Sequence, residues 1–295
     1  MSEIHYPEIS RILTPEQRDQ FSQDIFNQID GETWADAAYA NLLGVTTFIR
    51  NGIDMIEKFE EASYRKHPEV HSDTDVIYID SGPGPYSYKM LEPGKTDLDD
   101  KNYHKWQSSR KMDRARIRTA YTLATMITSQ RTRKQADALT TEDFEKFGPF
   151  LMYTSVDWQA SHIRHALNLT REKGTFKIPD SKIVMYENFT SRNGEVKPII
   201  HTQDQIEGLQ FPSNPDGSKP RRVMIVSHPA HLMRVMHILG KYPDSIPEGT
   251  KLHAFPISTP TAALREYAEG ELMGTLATVF KTGRASLTPY SNYEI

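Results

Sequence analysis

Four times in this chain a short run of apolar, largely β-branched residues ends in a polar turn and then gives way to helical periodicity. The runs are Val76-Ile77-Tyr78-Ile79-Asp80, Phe150-Leu151-Met152-Tyr153, Lys182-Ile183-Val184-Met185-Tyr186 and Arg222-Val223-Met224-Ile225-Val226. Continuous rather than alternating hydrophobicity marks a strand covered on both faces, as in parallel sheets. Parallel neighbours cannot be joined by a hairpin; each pair needs a helical, right-handed crossover. The pattern therefore predicts an α/β fold, a Rossmann-like parallel sheet with helices on both faces. A fifth run, Leu252 to Ile257, reads as a last strand before a closing helix from Thr261.

The helices between the runs are legible at several places. Asp113 is expected to cap a helix running to about Ser129, with Ile117, Ala120, Tyr121, Ala124 and Ile127 facing inward. Others are expected over Trp158–Arg171, Thr202–Leu209 and Ala230–Leu239, the last ending at Gly240. Upstream, Thr14-Pro15-Glu16-Gln17 combines a capping threonine, a proline at the first helical position and a glutamine three residues on, the signature of a capping box. Phe21, Ile25 and Ile29 then form one apolar stripe, and Ala37, Ala40, Leu43, Val45, Phe48, Ile49, Ile53 and Ile56 continue as one or two packed helices. Residues 1–72 are thus expected to be a helical segment packed on a Rossmann-like domain at 73–295. Tyr86–Lys111, Asn193–Ile200 and Pro212–Pro220 read as loops or insertions.

Composition removes several classes of function. With no cysteine, disulfides, thiolate nucleophiles and zinc ribbons are excluded. A net charge of −4 provides no general basic field for nucleic acid. The first residues carry acids and a proline and resemble no secretory signal, and no run approaches the roughly 20 apolar residues of a membrane span. A cytoplasmic protein without nucleic-acid or membrane partners is expected. GxxxxGK, GxSxG and HExxH motifs are absent.

In open parallel sheets, ligands bind beyond the carboxyl ends of the strands, where strand order reverses. The first strand brings Asp80, Gly82 and Gly84 to that edge, and glycine permits close backbone approach. The second brings Thr154, Ser155 and Asp157, which helix capping explains better than a ligand does. The third brings Glu187, a carboxylate able to hold a ribose hydroxyl or act as a base. The fourth brings Ser227-His228, with His231 and Arg234 one turn later and on one helix face. Ser227, His228 and Arg234 offer hydroxyl, imidazole and guanidinium donors suited to phosphate.

This order of units resembles the domain of unknown function 218 family, the YdcF/SanA-like group. The resemblance covers residues 75–260 and is carried by the helix Arg116-Ile117-Arg118-Thr119-Ala120-Tyr121-Thr122-Leu123, by Glu187 with Thr202-Gln203-Asp204-Gln205, and by Val223 to Ser227 with His231-Leu232-Met233-Arg234. Thr154-Ser155 stands where the family has a Ser-Gly-Gly-like turn. The resemblance implies one pocket formed by the glycine turn, Arg116, Thr154, Ser155, Glu187, Thr202, Asp204, Gln205, Ser227, His228, His231 and Arg234. A nucleotide-like, adenosyl-type or phosphorylated small molecule is the expected ligand, with Glu187 and His231 as the catalytic candidates for transferase or hydrolase chemistry. No resident metal is expected in this reading. The alternatives are a metal-assisted hydrolase using Glu187, His228 and His231, and a non-catalytic regulatory or interaction protein.

Overall fold

A computed structural model describes residues 14–65, 69–80, 103–154, 167–168, 171–172, 174, 176–191, 193–259 and 264–295. By their contacts the residues fall into two compact units, each discontinuous in sequence. The first comprises Met1–Lys66, His228–Lys241 and Ser258–Ser291; the second comprises His67–Ser227, Tyr242–Ile257 and Asn292–Ile295.

The second unit is built on five parallel strands: β1 (Thr74–Asp80), β2 (Phe150–Thr154), β3 (Ile183–Tyr186), β6 (Arg222–Ser227) and β7 (Lys251–Pro256). Their order is β3-β2-β1-β6-β7. All pairings are parallel, as the buried runs require. The chain moves outward from β1 through β2 to β3, then returns to place β6 on the other side of β1. Strand order therefore reverses between β1 and β6, which is where Rossmann-like sheets open a ligand crevice. The predicted fold class holds, with an α/β Rossmann-like architecture of a parallel sheet flanked by helices.

One face of that sheet meets α4 (Tyr103–Thr132), whose Ala120, Leu123, Ala124 and Ile127 pack with Ile77, Ile79, Leu151, Met224 and Val226. The helix is longer than expected. It begins at Tyr103, not Asp113, so the polar residues 103–111 are helical and only 86–102 of the expected loop lies outside the described residues. A nearly uniform polar sequence hides helical periodicity, because no apolar stripe reports it. Two further elements went unread. Helix α5 (Thr141–Phe147) carries its own capping box, Thr140 N–H to Asp143 Oδ2 at 2.9 Å and Asp143 N–H to Thr140 Oγ1 at 3.2 Å. Residues Asn188–Thr190 (β4) and Val196–Pro198 (β5) pair as an antiparallel ribbon, so the expected loop at 193–200 is partly a strand. Helix α6 spans Thr202–Glu207. The expected helix at 158–171 lies almost wholly outside the described residues.

The first unit is helical. It holds α1 (Pro15–Ile29), α2 (Ala35–Tyr39), α3 (Leu42–Ser63), α7 (Pro229–Lys241) and α8 (Leu264–Phe280). The capping box at Thr14 is present: Gln17 N–H donates to Thr14 Oγ1 at 3.3 Å and Thr14 N–H to Gln17 Oε1 at 2.8 Å. Phe21, Ile25, Ile29, Phe48, Ile49, Ile53 and Ile56 join Met233, Leu272 and Leu276 in one buried cluster. Ala37, Ala40 and Leu43, expected in that stripe, are exposed, and Trp34 and Ala38 are buried instead. The break between α2 and α3 resets the helical phase, which a single continuous period cannot anticipate. Helix α7 runs one residue past Gly240. That glycine is required by packing rather than by termination, because a Cβ there would collide with the Thr288 carbonyl oxygen. Among the described residues, no helix is long and apolar enough to cross a membrane.

Candidate functional site

The carboxyl ends of β1 and β6 place Asp80 and Ser227 at the same level. Ile79 pairs with Val226, and each of the two polar residues follows one position later. Side chains alternate along a strand, so Asp80 and Ser227 share the face occupied by Tyr78 and Ile225, opposite the α4 face. Both are fully buried. Tyr78, also fully buried, directs its hydroxyl to Asp80 Oδ1 at 3.3 Å and to Gln205 Oε1 at 3.5 Å. Gln205 comes from α6, so the helix start expected near Glu187 does reach the end of β1. The Ser227 hydroxyl is buried without a hydrogen-bond partner among the described residues, at a typical cost of about 1–3 kcal/mol.

Arg116 is the largest fully buried side chain of the described residues. Its level follows from the far end of α4. There Arg131 donates to Ser72 O at 2.7 Å and to Thr74 O at 2.8 Å, at the amino end of β1. Fifteen residues of helix rise about 22 Å, roughly the length of seven strand residues. Arg116 therefore lies level with the carboxyl edge of the sheet, on the α4 face. Tyr186, which closes β3 at the same edge, has its phenol pKa raised by burial and keeps its proton.

The other expected residues divide into three groups. Thr202, Asp204 and Gln205 are buried in α6, but Asp204 accepts from the backbone of Ile200 at 3.1 Å and of His201 at 2.8 Å, and so caps its own helix. Glu187 is half-buried just beyond β3, where its carbonyl accepts from Ile199 N–H at 3.0 Å. His228, His231 and Arg234 belong to the helical unit. There His231 Nδ1 lies 2.9 Å from Glu271 Oε1, and Arg234 Nη1 lies 3.5 Å from Glu271 Oε2. Gly274 makes room for this guanidinium, since a Cβ there would stand 2.9 Å from Nη1. Gly82, Gly84 and Ser155, and the side chain of Thr154, lie outside the described residues.

Sequence reasoning missed Tyr78, read only as a strand apolar, and Glu271, which sits in the closing helix far from its partners. It also missed a group of possible metal ligands, His71, His253 and Glu294; the three positions share no motif spacing.

A concave region of about 370 Å³ opens at the amino ends of the strands. Arg131, Lys182, Arg221 and Asp75 line it, and their polar groups are largely turned on one another. Asp75 occupies an irregularity in the β1–β6 register, which re-aims its carboxylate as bulges do. It accepts from Arg221 Nη2 at 2.7 Å, Arg221 N–H at 2.8 Å and Arg131 Nη2 at 3.1 Å. Burial alone would raise its pKa, but these donors outweigh burial and hold it below the ordinary aspartate value. Lys182 lies 4.5 Å over the Phe150 ring, and burial pushes its ammonium pKa down.

No family model matches the chain, and no curated protein or solved structure does either.

Proposed function

We propose that this protein binds a nucleotide-like or phosphorylated small molecule over the carboxyl ends of β1 and β6. The buried Ser227 hydroxyl at the strand-order reversal carries this reading. A fully buried hydroxyl without a partner among the described residues is destabilising on its own, and a ligand oxygen accepting from it offsets that loss. Asp80 and Gln205, linked through Tyr78, supply acceptors and donors on the same face for hydroxyl and amino groups. Glu187 is the carboxylate assigned to the sugar hydroxyls or to general-base work. His231, oriented by Glu271 within the helical unit, is a separate candidate for proton transfer. The resemblance to the YdcF-like group, through Glu187 and His231-x-x-Arg234, supports the same ligand class. A cytoplasmic setting suits such a ligand and suits a chain without cysteine.

A thermal-shift series with nucleoside phosphates, sugar phosphates and adenosyl compounds tests the proposal. Binding to the native state alone raises the melting temperature by mass action, equivalent to about 2.7 kcal/mol at a hundredfold excess over Kd. The expected result is a rise with at least one phosphorylated compound that Ser227→Ala diminishes. A flat response across the series sinks the proposal and favours an interaction protein.

A further inference from the structure

We infer that His71, His253 and Glu294 form a binding site for a single divalent transition-metal cation of the Zn2+ class, which fastens the C-terminal tail to the edge of the sheet. The cluster belongs wholly to the sheet unit. His71 stands in the segment before β1, His253 is the third residue of β7, and Glu294 is the penultimate residue of the chain. Each offers one ligand atom, and the three atoms lie within 4.8 Å of one another. Two imidazoles and a carboxylate are a standard ligand set for zinc, and it leaves a coordination position for water or a fourth group. Ligand atoms around tetrahedral Zn2+, with bonds of about 2.0–2.2 Å, stand roughly 3.3–3.5 Å apart. Side-chain rotation closes the remaining distance, because His71 and Glu294 are only partly covered, at 22% and 49% side-chain exposure.

Three features of the surroundings favour a cation. First, the backbone is already in place. Ala254 N–H donates to Glu294 O at 2.8 Å and Glu294 N–H to Leu252 O at 2.9 Å, which sets Glu294 beside His253 along the edge of β7. Second, the two imidazole rings meet edge to face with centroids 5.3 Å apart, which fixes His253 in its buried position. Third, the local charge is unbalanced. His71 Nε2 lies 3.6 Å from Glu69 and 3.7 Å from Glu294. Arg222, buried, pairs with Glu294 and, at 2.8 Å, with Asp73. Asp73 and Glu294 flank the Arg222 guanidinium and Glu69 adds a third carboxylate beside His71, so carboxylates outnumber the guanidinium and a cation offsets the excess. Glu69 is the nearest candidate for the fourth ligand. Arg222 holds Glu294 in its outer position, as the partners of metal ligands commonly do.

The cluster lies toward the amino ends of the strands, so this site is distinct from the proposed small-molecule crevice. The test is isothermal titration of chelator-treated full-length protein with Zn2+, repeated with His71→Ala, His253→Ala and Glu294→Gln. Wild type is expected to take up one equivalent. Either His→Ala change should cost at least the roughly 100-fold that loss of an outer partner alone can cost, and Glu294→Gln about tenfold or more. His71 is partly exposed, so His71→Ala remains informative even if His253→Ala does not fold. Cobalt-loaded protein should show visible absorption of a low-coordinate nitrogen–oxygen site, lost with His71→Ala. Absence of stoichiometric binding in wild type overturns the inference, as does unchanged affinity in His71→Ala.

Discussion

At the amino ends of the strands, Asp75 is held by Arg131, Arg221 and Asn214, and Arg222 is clamped between Asp73 and Glu294. At the carboxyl ends, the Ser227 hydroxyl is buried with no such partner among the described residues. The same sheet thus treats polar groups in two ways. Its amino edge turns charges on one another and ties the ends of β1 and β6 together. Among the described residues, its carboxyl edge leaves the Ser227 donor unused at the point where strand order reverses. Paired groups contribute stability, whereas an unpaired buried group detracts from it and requires another reason to be there.

The largest expected effect lies at the amino edge. Asp75→Ala removes a buried carboxylate that accepts from Arg131, Arg221 and Asn214, and hydrogen bonds to a charged group are worth about 1.5–3 kcal/mol each. Urea denaturation should show that loss. The pH profile carries the same signature. The Asp75 pKa is lowered in the folded protein, so its stabilisation is present above the unfolded value of about 3.9 and is lost as pH falls through the folded value. Asp75→Asn should flatten that acid limb.

His237, in the helical unit, sharpens the comparison with an imidazole that is paired at one nitrogen only and costly to charge. Its Nδ1 meets the Ser286 carbonyl at 2.8 Å, and burial lowers its pKa to about 4. Here the unfolded chain takes up the proton first. Stability should be full above about pH 6.5, fall by about 3 kcal/mol as pH drops toward 4, and level off below. Thermal melts of His237→Gln across that range should lack the slope.

A smaller effect is expected at Ser227. Ser227→Ala removes a hydroxyl without a partner among the described residues, so stability should be unchanged or rise by up to about 1 kcal/mol while ligand response falls. A large destabilisation would break the contrast between the two edges. The smallest effect is expected at Leu43, which is 81% exposed; Leu43→Gln should move stability by no more than about 0.5 kcal/mol.

The sheet was legible because a two-sided buried strand leaves a continuous apolar run, and five such runs fix a parallel fold almost unaided. The placement of Ser227 near the reversal point followed from the same logic, whereas Gln205 was expected only through the family resemblance. What escaped were elements without an apolar period, such as the polar first turns of α4, and contacts between residues far apart in sequence. Glu271 beside His231 and Arg234, and His71 beside His253 and Glu294, are products of tertiary packing, and no local spacing announces them. Asp204, expected as a ligand contact, also has a local role: its Oδ2 caps the start of α6.

Hydrogen–deuterium exchange with and without the phosphorylated compound that most raises the melting temperature tests the central claim most directly. The account predicts new protection in peptides containing Asp80, Thr202–Glu207 and Ser227, with none around Asp75 and Arg221. Protection confined to the amino edge would contradict it.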